Sequence, residues 1–204
     1  MSDRINITSL PHLWPYNIDF HKIFNNKNPI DVEIGCGRPH FFFDRAINFP
    51  KRNIIGIEYK YEFMKSAQKR IIKENFNNAL ALHGNAWLLL PLLFQSQTIG
   101  NVFINFPDPW WKKKHKKRLL LNDIFLNHLQ KKLTKQSLII LQTDGLDLFL
   151  EYKNLLLDSG FIINTENNDE IINFTQAKTH REKKCLAQQM PIYRAIFQNG
   201  IKSP

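Results

Sequence analysis

Acidic side chains stand where several apolar segments of the chain end. Glu33 precedes the turn Gly35-Cys36-Gly37, and Glu58 closes the next apolar segment. Two glycines allow a tight turn and let the backbone approach a ligand without obstruction by a Cβ atom. A carboxylate at the end of the second segment can accept hydrogen bonds from both hydroxyl groups of a ribose. These residue types predict a site for a nucleoside cofactor, and the alternative for Glu58 is an ordinary solvated strand end.

The same turn separates two classes of cofactor. It lacks the full Gly-x-Gly-x-x-Gly pattern that brings the start of a helix against a pyrophosphate, as a dinucleotide requires. A third apolar segment ends at Gly84-Asn85, where a side-chain amide can hydrogen-bond the edge of an adenine. The set favours a nucleoside without phosphates, such as S-adenosylmethionine, over a dinucleotide.

A rigid acidic turn with a basic strip beside it follows the fourth apolar segment. Asp108 lies between Pro107 and Pro109, which fix φ around it and hold its carboxylate at the sheet edge. The strip consists of Lys112, Lys113, Lys114, His115, Lys116, Lys117 and Arg118. Each phosphate that Lys or Arg neutralises adds salt-dependent affinity for a nucleic acid. The strip therefore predicts contact with a phosphate backbone, although such runs more often form a solvated face or a localisation signal.

Segments of strand and helix character alternate from residue 30 onward. Strands are predicted at 30–34, 53–57, 79–83, 100–105, 137–142, 161–164 and 192–197. Helices are predicted at 41–48, 61–75, 87–94, 118–133 and 145–158. This alternation predicts an α/β fold, a mostly parallel sheet with helices on both faces. Ligands of such sheets bind outside the carboxyl ends of the strands, where these acidic and amide residues stand.

Composition limits the class of protein. The 204 residues suit one domain, predicted at 30–204 after an irregular segment at 1–29. The formal net charge of +10 favours polyanionic partners, nucleic acid first. Two cysteines make no disulfide framework, and no cluster suggests a metal site. The chain shows no signal peptide or membrane-spanning apolar run, so we expect a cytoplasmic protein without a membrane partner. We also expect a monomer or weak homodimer.

The turn around Asp108 also carries a resemblance to a known family. The stretch Phe106-Pro107-Asp108-Pro109-Trp110, with Lys112, His115, Lys117 and Arg118, resembles a signature of the bacterial tRNA (guanine-N7)-methyltransferases. Supporting matches are Glu33-Ile34-Gly35, Gly56-Ile57-Glu58, Thr143-Asp144 and Thr179-His180-Arg181-Glu182. Only the block around Asp108 is highly specific.

The resemblance implies a fold, an activity and site residues. The family fold is a Rossmann-like class I methyltransferase, a mostly parallel seven-stranded sheet with the last strand antiparallel. The family methylates N7 of a guanine in the tRNA variable loop, giving m7G46, with S-adenosyl-L-methionine as the methyl donor. The turn already identified and the resemblance together assign the cofactor to Glu33, Gly35, Gly37, Glu58, Asn85 and Asp108, with Asp108 catalytic. By the resemblance, tRNA would be bound by Lys112, Asp144, Thr179 and Glu182, and its backbone by Lys113, Lys114, His115, Lys116, Lys117 and Arg118.

The chemistry agrees with this assignment. Guanine N7 carries a lone pair and no proton, so it can attack a methyl sulfonium without a general base. Catalysis then depends on holding N7 in line with the methyl group at near-attack distance. We expect Asp108 to orient the sulfonium side or to accept hydrogen bonds from the guanine. We expect Asp144 to bind the guanine N1 and N2 donors, which selects guanine over adenine.

The chain departs from the family pattern at a few positions. Pro39 stands where the family usually has glycine, His40 where it has an acid, and Asn85 where it has aspartate. His180-Arg181 replaces a common Lys-Phe. A non-catalytic or weakly active tRNA-binding member of the family is therefore the main alternative. A methyltransferase for another RNA or another guanine atom is the second alternative.

Overall fold

The fold is one seven-stranded sheet with helices on both faces. The computed structural model describes residues 17–108, 120–164 and 176–200. The strands are β1 (Ile30–Ile34), β2 (Asn53–Glu58), β3 (Ala79–His83), β4 (Ile99–Asn105), β5 (Leu133–Thr143), β6 (Phe161–Ile163) and β7 (Tyr193–Asn199). The helices are α1 (Phe20–Phe24), α2 (His40–Asn48), α3 (Tyr61–Lys73), α4 (Ala86–Leu93), α5 (Asp123–Lys132), α6 (Leu146–Asp158) and α7 (His180–Ala187).

The strand order is β3-β2-β1-β4-β5-β7-β6. Strands β1 to β5 pair in parallel, whereas β7 is antiparallel to both of its neighbours, β5 and β6. The predicted fold class, including the antiparallel last strand, is confirmed. Because β1 connects to β2 on one side and pairs with β4 on the other, the order reverses between β1 and β4, and a crevice forms there.

Burial of both faces explains the apolar strands. Every residue of β1 and of β2 is buried, as expected for parallel strands covered on both sides. Successive side chains point to opposite faces. Ile55 and Ile57 pack in the cluster that contains the buried residues of α4, α5 and α6, whereas Ile54 packs with those of α2 and α3. The sheet edge is thereby held rigidly, which suits a site built on strand ends.

Several element boundaries differ from the sequence prediction. Helix α5 begins at Asp123 rather than at 118, because Asn122 caps it by accepting a hydrogen bond from the backbone N–H of Phe125 at 3.0 Å. Strand β5 begins at Leu133 rather than at 137, since its first residues include the exposed Lys135 and Gln136, which give no apolar signal. In the part of the chain described, no helix has both the length and the apolar character of a membrane span.

Two helices within the described residues were not predicted. Helix α1 lies in the segment predicted to be irregular, and its five residues are too short for a periodic pattern. Helix α7 begins after Thr179, whose hydroxyl oxygen accepts a hydrogen bond from the backbone N–H of Glu182 at 2.9 Å. The Thr-x-x-Glu segment that was interpreted as a tRNA contact is therefore also a helix start of the capping type.

Candidate active site

A cavity of about 190 Å³ opens at the carboxyl ends of β1 and β4. Its walls come from the turn after β1, from Phe63 on α3, from the end of β4 and from the start of α7. This position is the crevice where the strand order reverses, the usual ligand position in open α/β sheets. The sequence prediction that the site follows the strand ends agrees with this position.

A larger cavity, of about 480 Å³, lies at the opposite edge of the sheet. Its walls include Pro29 and Arg52, which precede β1 and β2, and Gly100 at the start of β4. Arg52 is paired there with the buried carboxylate of Asp31 at 2.6 Å. No predicted site residue lines this cavity within the described residues, so we assign the active site to the smaller one.

The glycine turn after β1 is held by Glu58. Gly35 and Gly37 adopt φ of +73° and +49°, a conformation that favours glycine. The Glu58 carboxylate accepts hydrogen bonds from the backbone N–H groups of Gly37 at 2.7 Å and Lys60 at 2.6 Å. Each carboxylate oxygen keeps a further lone pair. Glu58 therefore shapes the turn and retains the capacity to accept ribose hydroxyls, the role that the sequence predicts.

Glu33 presents an unpaired oxygen at the cavity. Its side chain is buried, and Oε1 accepts a hydrogen bond from Asn105 Nδ2 at 3.0 Å. Among the residues that the structure describes, Oε2 has no partner. Burial raises the pKa of Glu33 to about 8; the Asn105 hydrogen bond lowers it and the Glu58 charge raises it further. At pH 7 the carboxyl is mainly protonated. A ligand that brings positive charge to Oε2, as S-adenosylmethionine does, would favour the ionised form of this carboxyl.

The start of α7 forms the second wall. Thr179 and Arg181 line the cavity, whereas Glu182 is buried beneath, 3% exposed. Glu182 Oε1 accepts from Arg194 Nη2 at 2.6 Å, and Oε2 accepts from Gln142 Nε2 at 3.4 Å. The Glu182 carboxylate is therefore already bonded within the protein, which the sequence did not indicate.

Asp144, the predicted guanine-binding residue, is paired with Arg181. Its Oδ2 accepts from Arg181 Nε at 3.0 Å and also from Nη2. This hydrogen bond raises the pKa of Arg181. Because Arg181 lines the cavity, the ion pair stands between Asp144 and any base that enters. Binding of guanine by Asp144 requires Arg181 to move or to share the carboxylate.

Positions that depart from the family pattern meet at the mouth of the cavity. Arg38 Nη1 lies 3.0 Å from His180 Nε2, and since arginine only donates, this nitrogen accepts. The rings of His40 and His180 stack, with centroids 5.4 Å apart. Burial, then the charges of Lys183 and His180, lower the pKa of His40. The turn after β1 and α7 are thus joined by side chains at this mouth.

Five of the predicted site residues within the described part of the chain do not line the cavity: Glu58, Asn85, Asp108, Asp144 and Glu182. Asn85 is exposed and caps α4, since its side chain accepts from the backbone N–H of Trp87 at 2.9 Å. Asp108 is exposed and lies beyond the strand end. Their roles stay predictions. The predictions for Lys112, Lys113, Lys114, His115, Lys116, Lys117 and Arg118 lie outside the described residues.

Sequence reasoning missed several polar residues of the site. Asn105 ends the apolar strand β4, Gln142 is the residue before the last of β5, and Arg194 lies on β7 beside them. A polar residue closing an apolar strand at its carboxyl end was the available signal. Their partners, however, depend on strand order and register, which the sequence pattern does not specify.

Solved structures confirm the class of fold. A methyltransferase described as antibiotic-related is 22% identical and superimposes with a TM-score of 0.64 over 90% of this chain and 93% of its own. The 16S rRNA methyltransferase KamB is 12% identical, with a TM-score of 0.64 over 93% of this chain and all of its own. These structures show that the chain has the class I methyltransferase fold.

Sequence comparison gives the family. Residues 27–195 match the methyltransferase family model Methyltransf_4. The tRNA (guanine-N(7)-)-methyltransferase of Oceanobacillus iheyensis is 37% identical, over 86% of this chain and 83% of its own. The enzyme of that name from Prochlorococcus marinus (strain AS9601) is 31% identical, over 91% of this chain and 97% of its own. The chain belongs to the tRNA (guanine-N7)-methyltransferase family.

Proposed function

We propose that this chain transfers a methyl group from S-adenosylmethionine to N7 of a guanine in the tRNA variable loop. The observation that carries the proposal is sequence similarity, over most of the chain, to proteins named tRNA (guanine-N(7)-)-methyltransferase. The net charge of +10 supports an RNA substrate. The unpaired oxygen of Glu33 at the crevice supports a positively charged cofactor.

The predicted site residues have distinct tasks in this reaction. The cofactor supplies an electrophilic methyl group on a sulfonium. Glu33 holds the cofactor through its Oε2, and Glu58 holds it by accepting hydrogen bonds from the ribose hydroxyls. Asp108 orients the reacting groups from the end of β4. Asp144 binds the guanine N1 and N2 donors once Arg181 releases the Asp144 carboxylate. No residue has to remove a proton from N7, so the chain's contribution is mainly alignment and exclusion of the wrong base.

A pair of tRNA transcripts tests the substrate. Methyl incorporation from labelled S-adenosylmethionine is measured with an unmodified tRNA and with the same transcript carrying adenine at the target position of the variable loop. We expect label in the first transcript and none above background in the second, because adenine lacks the N1 and N2 donors that Asp144 reads. Equal incorporation into both would contradict the proposed target.

We also propose that the chain acts in the cytoplasm as a monomer or weak homodimer. The absence of a disulfide framework among its two cysteines and the proposed tRNA substrate support this location. Light scattering of the purified protein across concentrations tests the assembly: a stable larger oligomer would contradict it.

A further inference from the structure

A row of polar side chains crosses four neighbouring strands at the site's edge of the sheet. Asn105 on β4, Gln142 on β5 and Arg194 on β7 are register partners. Arg194 Nε donates to Gln142 Oε1 at 3.0 Å, and Gln142 Nε2 donates to Asn105 Oδ1 at 3.0 Å. Asn105 Nδ2 donates to Glu33 Oε1 at 3.0 Å, so the row ends at β1 and at the cavity.

Arg194, at one end of this row, fixes the donor-to-acceptor direction of the hydrogen bonds along it. Arginine has donors and no acceptor, so the oxygen of Gln142 must face Arg194 and its NH₂ group must face Asn105. The Asn105 amide is then oriented in turn, with its NH₂ group toward Glu33. Glu33 Oε1 can therefore only accept, and Oε2 is the oxygen left for a ligand. The donors of Arg194 thus determine that Glu33 Oε1 receives an N–H group rather than an oxygen.

The same arginine also holds the second carboxylate of the site. Arg194 Nη2 donates to Glu182 Oε1 at 2.6 Å, and Gln142 Nε2 reaches Glu182 Oε2 at 3.4 Å. Gln142 is fully buried and Glu182 nearly so, whereas the Arg194 side chain is 38% exposed. Arg194 therefore bonds, directly or through two amides, both glutamates that border the cofactor and substrate sides.

We propose that Arg194 is a positioning residue that orients Glu33 toward the cofactor, through Gln142 and Asn105, and Glu182 toward the tRNA. The proposal rests on the proposed function, because it takes the cofactor and tRNA from it. It links the two halves of the site through one side chain that does not itself line the cavity.

The pH dependence of cofactor binding should change with the orientation of the Gln142 and Asn105 amides. Among the described residues, the groups that shift the pKa of Glu33 are Asn105 from β4 and Glu58 from β2, and Glu33 in turn raises the pKa of Cys36 in the glycine turn. The Asn105 hydrogen bond lowers the pKa of Glu33 and so favours the ionised form that a cation binds. Without Arg194 only the 3.4 Å contact from Gln142 Nε2 to Glu182 Oε2 opposes inversion of the amides. An inverted Asn105 amide would present an oxygen to Glu33 and raise its pKa. The pH above which the cofactor binds well would then move upward.

The test compares Arg194→Met and Gln142→Met with Arg70→Met, which removes an exposed ion pair with Glu74 on α3. Calorimetry gives the Kd of S-adenosylmethionine from about pH 6 to about pH 9, and filter binding gives the Kd of tRNA. We expect Gln142→Met to weaken cofactor binding about tenfold at pH 7, with an upward pH midpoint. Its tRNA binding changes less, because Arg194 still pairs with Glu182. Arg194→Met weakens both, and Arg70→Met neither.

Arg194→Lys separates positioning from a structural role, because lysine is also a donor-only cation. We expect it to restore part of the cofactor affinity lost in Arg194→Met. If Gln142→Met melts cooperatively yet keeps the wild-type cofactor Kd and pH midpoint, the proposal is overturned, even where Arg194→Met does not fold. Failure of the wild-type protein to methylate tRNA would instead refute the proposed function, since cofactor binding is read independently.

Discussion

At the residue scale, the position of Glu33 gives its carboxyl group unusual chemistry. The side chain is buried with one oxygen bonded and one unpaired, and its pKa is raised to about 8. The sequence indicated a carboxylate before the glycine turn but gave no sign that it would be protonated at neutral pH. Burial of this group follows from its position on the central strand β1, and the protonation follows from the burial.

Replacing Glu33 with glutamine should change how stability depends on pH. Because the folded pKa of about 8 lies above the ordinary 4.5, the folded protein binds a proton that the unfolded chain loses. The free energy of unfolding of the wild type therefore falls relative to Glu33→Gln as pH rises between those two values. Urea melts of both proteins at acidic and at mildly alkaline pH measure this difference. Parallel pH profiles for the two proteins would show that Glu33 does not titrate as described.

At the element scale, the central strands were predictable and the capping segment was not. The bounds of β1 and β3 agree with the prediction. A buried parallel strand is a nearly continuous apolar run in the sequence, and polar residues mark where each run ends. Helix α7 has eight residues, mostly polar, and its Thr-x-x-Glu start was interpreted only as a tRNA contact. The partners of Asn105, Gln142 and Arg194 were unpredictable since they depend on register across β4, β5 and β7.

Thr179→Ala should separate the helix cap from the site. Losing the hydroxyl that accepts from Glu182 N–H should lower the free energy of unfolding by about 1 kcal/mol. Because Thr179 also lines the cavity, tRNA methylation should fall by more than this stability loss explains. The matched control is Asp19→Ala, which removes the cap of α1 away from the cavity. Equal activity in the two variants, at equal folded fraction, would limit Thr179 to capping.

At the scale of the whole molecule, the fold forms the crevice in which the candidate site lies. The reversal of strand order between β1 and β4 forms the crevice, and helices on both faces hold its walls. The fold class was predictable from alternating strands and helices together with the family resemblance. The walls of the site were not predictable, because they depend on where the start of α7, with Arg181, lies relative to the strand ends.

The most direct test identifies the methylated nucleoside. Purified protein is incubated with methyl-labelled S-adenosylmethionine and unmodified tRNA, and the digested RNA is separated and analysed by mass spectrometry. We expect the label in 7-methylguanosine from the variable loop. Label in another nucleoside, or tRNA binding with no label at all, would contradict the assignment of guanine-N7 methylation to this chain.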